Sequence, residues 1–257
     1  MNGTDEPVVV LAEPRREVVR WAAEYAGLLG SPLRVLHTAP VVSGLLDELR
    51  GQHPGPAVDH RHVADALDDA LVAESEHAHA IVLADSGEEV VDERSVATAL
   101  STRSRCPVVS VPPGATWRDR VGPVVVGAHH PERTPRKLEF ALAEAARLGT
   151  GVRVVRCGRS RRPADDLDAL LGALGERYPD VPVHAEVLDT SPSNALAWHA
   201  HFGSMVVVGS RRGGALRGAL VRSLGREVLR RGPSPVVVIG ERCRASIALP
   251  ELRDARS

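Results

Sequence analysis

The stretch GSRRGGALRGALVRS, Gly209 to Ser223, carries the residues of this chain best suited to hold a ligand. It follows MVVV, a run that reads as a buried strand. Glycines after a strand let backbone N–H groups converge on a phosphate, and a following helix N-terminus adds partial positive charge. Gly209, Ser210, Gly213 and Ser223 suit that chemistry. Arg211, Arg212, Arg217 and Arg222 crowd the same loop, and guanidinium groups can clamp an oxyanion bidentately. Arg222, Arg226 and Arg230 also share one helix face, opposite the apolar stripe of Leu220, Leu224 and Val228. That is equally the pattern of a solvated helix face.

Other reactive residue types are more scattered. His60 and His62, and His77 and His79, form H-x-H pairs that on a strand would point to one side. No cysteine or carboxylate completes either pair at a familiar metal-ligand spacing, so no metal is expected. Serine hydrolase chemistry needs a G-x-S-x-G elbow, which is missing from the sequence. Cys106, Cys157 and Cys243 are far apart and odd in number, which argues against a disulfide framework. Cys106 precedes Pro107 and reads as structural. In the first half, ADSGEEVVDERS sets Glu88, Glu89, Asp92 and Glu93 around Gly87. Carboxylates there would repel a phosphate.

The elements that must position these residues repeat. Val8–His37 matches Val124–Arg156, Ala80–Gly87 matches Met205–Arg212, and Cys106–Val111 matches Ser234–Ile239. Two similar halves meet at the Pro/Gly-rich linker PPGATWRDRVGP, which gives domains over 1–115 and 121–243. Continuous valine-rich runs suit parallel strands buried on both faces. The first half predicts strands over 7–12, 33–37, 57–62, 79–84 and 107–111. The second predicts strands over 123–128, 152–157, 182–188, 204–209 and 235–239, with helices over 132–149, 163–178, 192–202 and 218–231. The C-terminal tail from Arg244 reads as frayed. The alternation is that of an α/β fold with two doubly wound sheets, whose ligands lie beyond the carboxyl ends of the strands. In the second half that location gathers Gly127, Ala128 and His129 with Gly209 and Ser210.

Composition narrows the function. The 257 residues carry a formal net charge of -1, which gives no bulk attraction to nucleic acid or to a membrane. No run approaches the ~18 apolar residues that span a bilayer, so a cytoplasmic location is expected. Lys137 is the only lysine; arginine supplies the remaining positive charge.

The chain resembles a tandem universal stress protein. The resemblance rests on the strand–loop–helix openings that end in LRVLH and VRVVR. It rests also on VVVGSR before the glycine-rich loop, and on CPVV and SPVVV before each final strand. It implies two five-stranded parallel α/β domains of the adenine-nucleotide alpha-hydrolase type, with strand order 3-2-1-4-5. It implies pairing through the fifth strands into an intramolecular pseudo-dimer, which could itself pair with a second copy. ATP, AMP or another adenine nucleotide is the implied ligand. The family's nucleotide pattern is Gly, two residues, Gly, nine residues, Gly, then Ser or Thr. Laid on Gly209 to Ser223, it sets Arg212 and Arg222 where the second and third glycines belong. His129 stands where the family carries an aspartate beside the adenosine. These departures describe a degenerate site, in the second domain only, in a non-catalytic stress-response protein that senses a ligand or binds a protein partner. The alternative expectation is an arginine-clamped ATP site with slow ATPase activity.

Overall fold

The computed structural model describes residues 5–12, 15, 17–38, 43–52, 55–85, 100, 102–117, 122–128, 134–157, 164–210 and 232–244. Every predicted strand is present. The first half holds β1 (Val8–Leu11), β2 (Leu33–His37), β3 (Val58–His62), β4 (Ala80–Ala84) and β5 (Val108–Val111). The second holds β6 (Val124–Gly127), β7 (Val152–Cys157), β8 (Val183–Leu188), β9 (Met205–Gly209) and β10 (Val236–Ile239). Helices α1 (Glu17–Leu29), α2 (Ser43–Gln52) and α3 (Leu67–Glu74) belong to the first half. Helices α4 (Thr134–Leu148), α5 (Ala164–Gly175) and α6 (Pro192–His199) belong to the second. The predicted helix over 218–231 and the tail beyond Arg244 lie outside the described residues.

One sheet of ten strands runs β3-β2-β1-β4-β5-β10-β9-β6-β7-β8. Within each half the pairing is parallel and the order is the expected 3-2-1-4-5. The junction is antiparallel: Val236 faces Ser110, Val237 faces Val109 and Val238 faces Val108. The adjacency of PVVSV and PVVVI is therefore observed, and neither fifth strand is an open edge. The two remaining edges are β3, which is polar, and β8, which is mixed. β3 exposes Asp59, His60, Arg61 and His62, and β8 exposes His184, Ala185 and Val187.

Alternation along the strands sends side chains to two faces. On one face, Val8, Val10, Val82 and Val109 join Val126, Val154, Val207 and Val237 in a single core that crosses the junction. On the other face each half keeps its own core, around Val9, Ile81 and Leu71 in the first and Val125, Val206 and Leu196 in the second.

The central helices show the repeat at atomic level. Both α1 and α4 end at a glycine in the left-handed region, Gly30 with φ 65° and Gly149 with φ 64°. The following N–H reaches back in each: Ser31 to the Ala26 carbonyl and Thr150 to the Ala145 carbonyl, both 2.9 Å. This closes the last turn, and a residue with a Cβ would be strained at either glycine. Helix α6 begins at Ser191, whose Oγ accepts from the Asn194 N–H, with Pro192 in the first turn. It stops at His199, short of the predicted 202, and the chain continues through a turn in which the Gly203 N–H donates to the His199 carbonyl. Helix α5 likewise stops at Gly175, short of 178.

Candidate functional site

β6 and β9 are parallel neighbours, with Val124 opposite Met205 and Val126 opposite Val207. The chain leaves β6 towards β7 and leaves β9 towards β10, on opposite sides. Their carboxyl ends therefore form the point where adjacent loops part. Gly127, Ala128, Gly209 and Ser210 are brought together there, as their sequence positions predict. The Ala128 N–H donates to the Val155 carbonyl and the Ser210 N–H to the Ile239 carbonyl, at 2.9 and 3.0 Å. Both groups are thus tied into the sheet, and neither N–H is directed at a ligand. Ala128 and Ser210 are buried. His129, Arg212, Gly213, Arg222 and Ser223, with Arg211 and Arg217, lie outside the described residues.

The equivalent point of the first half repeats this geometry. Ala12 donates to the Leu36 carbonyl and Asp85 to the Val111 carbonyl, at 2.9 and 2.8 Å. Gly87, Glu88, Glu89, Asp92 and Glu93 lie outside the described residues.

The residue that sequence reasoning passed over is Lys137. It sits in the first turn of α4 and is only 4% exposed. Its Nζ donates to the Gly127 carbonyl oxygen. Its stem runs past Gly209: a Cβ built there would lie 3.6 Å from the lysine Cδ and 3.9 Å from Cε. The only lysine of the chain thus spans the cleft between the ends of β6 and β9. A signal was available, because Lys137 falls on the α4 face that also carries Leu138, Ala141 and Ala145. A buried ammonium needs a polar partner, which made this position unusual.

The histidine pairs resolve differently. His60 and His62 lie on β3 as read, and His37 of β2 joins them. His37 Nε2 and His60 Nδ1 are 3.2 Å apart, and His62 Nε2 lies 3.1 Å from the Thr38 carbonyl oxygen. Among the described residues no group of three or more potential metal ligands is arranged around a common point. His77 and His79 precede β4 instead of lying on a strand. His79 faces the other half of the molecule, where its Nε2 is 3.0 Å from Glu144 Oε1.

That contact belongs to a buried polar cluster at the junction. Tyr25 Oη donates to Glu144 Oε2 at 2.7 Å, and the Arg147 guanidinium donates to Glu144 Oε1 at 3.0 Å. Tyr25 and Glu144 are fully buried. Burial pushes the Tyr25 hydroxyl well above its ordinary pKa, and the Glu144 carboxylate adds to the shift. Burial alone would raise Glu144, but His79, Tyr25 and Arg147 outweigh it and hold the carboxyl below its ordinary value. Trp21 and Trp117 stack beside Tyr25, with Trp117–Tyr25 ring centroids 5.4 Å apart.

No family model matches the chain. Curated relatives do. Universal stress protein Rv2005c of Mycobacterium tuberculosis is 30% identical over 188 aligned positions, which cover 65% of this chain and 64% of that protein. The match thus spans less than two thirds of that relative's length. Universal stress protein Rv2623 of the same organism is 27% identical over 271 aligned positions, covering 87% of this chain and 91% of that one. Among solved structures, a universal stress protein from Archaeoglobus fulgidus superposes with a TM-score of 0.68 at 17% identity, covering 92% of this chain and 96% of that one. The cytoplasmic domain of a prokaryotic cation chloride cotransporter has the same fold, with a TM-score of 0.62 at 15% identity over 91% of this chain and 95% of that one. No described helix is long and apolar enough to cross a membrane. By sequence along most of its length, and by fold, the chain is similar to the universal stress proteins.

Proposed function

We propose that this chain is a non-catalytic, cytoplasmic stress-response protein, an intramolecular pseudo-dimer of domains over 1–115 and 121–243. It retains at most weak affinity for an adenine nucleotide or other anion, in the second domain. Lys137 is the observation that carries this reading. Its side chain fills the gap between Gly127 and Gly209, and its ammonium is already engaged by a carbonyl. A nucleotide entering there would have to displace it. In sequence, Arg212, Arg222 and His129 replace the two glycines and the acid of the family pattern, and an arginine cannot cheaply take the positive φ of a phosphate-cradling glycine. Both lysine and arginine still attract phosphate, so the affinity is low and not zero.

Saturation to a hundred times Kd would stabilise the fold by ~2.7 kcal/mol. For a chain of this size that is a melting shift of roughly 5–10 °C. Millimolar ATP with Mg²⁺ is expected to raise the melting temperature by less than ~2 °C. Lys137→Ala, combined with Arg212→Gly, Arg222→Gly and His129→Asp, is expected to enlarge the shift by vacating the cleft. A large shift in the unaltered protein, abolished by Arg212→Ala, would replace this reading with the arginine-clamped ATP site. An azido-ATP probe is expected to label second-half peptides alone, and label on Asp85 to Ser95 would refute the assignment to one domain.

A further inference from the structure

A cavity lies between the halves, and its lining reaches Ile239, the β10 neighbour of Gly209. It has a volume of about 270 Å³ and is walled by Arg105 from before β5, Arg136, Glu139, Phe140 and Arg147 from α4, and Arg244 from after β10. Four arginines therefore line it from three segments, two of them in the second half and one in the first. Their present partners leave donors to spare. Arg105 is 3.4 Å from Glu76, and Arg244 is 3.6 Å from Glu6, both long pairs between exposed side chains. Arg136 donates to the Glu241 carbonyl at 2.7 Å. Arg147 donates to Glu144. A guanidinium has five N–H donors, and exposed ion pairs such as those of Arg105 and Arg244 contribute ~0–1 kcal/mol, so an oxyanion can compete for these two groups.

Glu139 supplies the second observation. Its side chain is 2% exposed, and neither carboxyl oxygen has a hydrogen-bond partner among the described residues. The Arg177 guanidinium is 3.4 Å away. Burial raises the Glu139 pKa, and Arg177 offsets the rise in part. A buried carboxyl without a hydrogen bond costs free energy that a bound group could recover. A hydroxyl meets that need in either protonation state, because it both donates and accepts.

We propose that this cavity between the halves binds a small oxyanion that also carries a hydroxyl group, with the arginines on the anion and Glu139 on the hydroxyl. A phosphate ester and a hydroxycarboxylate share that chemistry, and the volume suits a molecule of about the size of a three-carbon metabolite. The site needs both halves, since Arg105 comes from one and Arg136, Arg147 and Arg244 from the other.

Isothermal titration calorimetry of the full chain with glycerol 3-phosphate and with glycerate tests this and separates the two sources of the anion. At least one is expected to bind more tightly than inorganic phosphate, and glycerol is expected not to bind. Arg136→Ala with Arg244→Ala is expected to weaken that binding at least tenfold. Both side chains are exposed, so the melting temperature checks that the double variant is folded. Glu139→Leu is expected to erase the preference over inorganic phosphate while keeping the anion affinity. Lys137→Ala is expected to leave binding unchanged, which separates this cavity from the cleft between β6 and β9. Absence of binding by both probes would overturn the proposal. So would affinity equal to that of inorganic phosphate, or affinity lost with Lys137→Ala and kept in the double arginine variant.

Discussion

Replacing Glu144 by glutamine probes the centre of the molecule. The carboxylate accepts from Tyr25 at 2.7 Å and Arg147 at 3.0 Å and faces His79 at 3.0 Å, with no exposure to water. Glutamine keeps the volume and one acceptor oxygen but removes the charge and turns one acceptor into a donor. Breaking a buried charged cluster by removing one partner costs about 3–5 kcal/mol. Because glutamine retains part of the hydrogen bonding, about 3 kcal/mol is the expected loss at pH 7. At roughly 2–4 °C per kcal/mol for a chain of this size, the melting temperature should fall by about 6–12 °C. The pH dependence supplies a second readout. The folded-state pKa of Glu144 is below its ordinary value, so its contribution is complete above about pH 4.5 and is lost as pH falls through the folded pKa. Circular dichroism melts of both proteins between pH 3 and 8 should therefore converge at the acid end. A glutamine variant that melts within 2 °C of the parent at pH 7, or a gap that widens with acid, would refute the account. Tyr25→Phe removes one donor and should cost less, about 1–2 kcal/mol. A double-mutant cycle would show the two changes to be coupled.

Other outcomes follow from the packing. Burial pushes Cys106 and Cys243 each up to about 12, and Cys157, which is only half-buried, less far. Titration with a chromogenic disulfide at pH 8 should find Cys157 reacting first and the other two only on unfolding; rapid reaction of Cys106 would contradict this. A Cβ on Gly203 would lie 2.7 Å from Val125 Cγ2 and 3.1 Å from the Pro123 carbonyl oxygen, and Val125 is fully packed. Gly203→Ala should cost about 1–3 kcal/mol in denaturant unfolding, whereas Gly172→Ala, with open space around it, should not destabilise.

The strands were legible because parallel sheets leave uninterrupted apolar runs: VVVL, AIVLA and MVVVG need no tertiary information to be read. The antiparallel junction was legible only through the family resemblance, which implies pairing through the fifth strands; the repeat alone does not say which edges meet. The polar strand β3 was also placed correctly, although its residues VDHRH carry little apolar signal. The ends of α5 and α6 ran short because helical periodicity does not record where a helix gives way to a turn. The place of Gly127, Ala128, Gly209 and Ser210 at the strand ends was legible because glycines punctuate the sequence where the valine runs stop. Lys137 was missed because a lysine in an amphipathic helix reads as solvated, and only the approach of Gly127 and Gly209 makes it a buried cation. Tyr25, His79 and Glu144 were missed for a stronger reason. Their contact joins residues 65 and 119 positions apart, across halves that the sequence presents as separate.

Tyr25 and Glu144 each lie five residues before the glycine that ends their helix, Gly30 and Gly149. They are therefore the same position of the repeat, and they touch each other. Val109 and Val237, also matching positions, stand opposite one another in the junction. When two identical chains associate symmetrically, a residue at such a place must meet its own twin. A glutamate would confront a glutamate in a dry interior, and like charges there repel strongly. Fusion of two diverged copies lifts that restriction, and a donor can be matched to an acceptor. The pairing of unlike halves is thereby encoded at the centre. An isolated second half, forced to associate with itself, would bring two Glu144 carboxylates together, and an isolated first half would set two phenols against each other without a carboxylate. Only the combination of the two satisfies both.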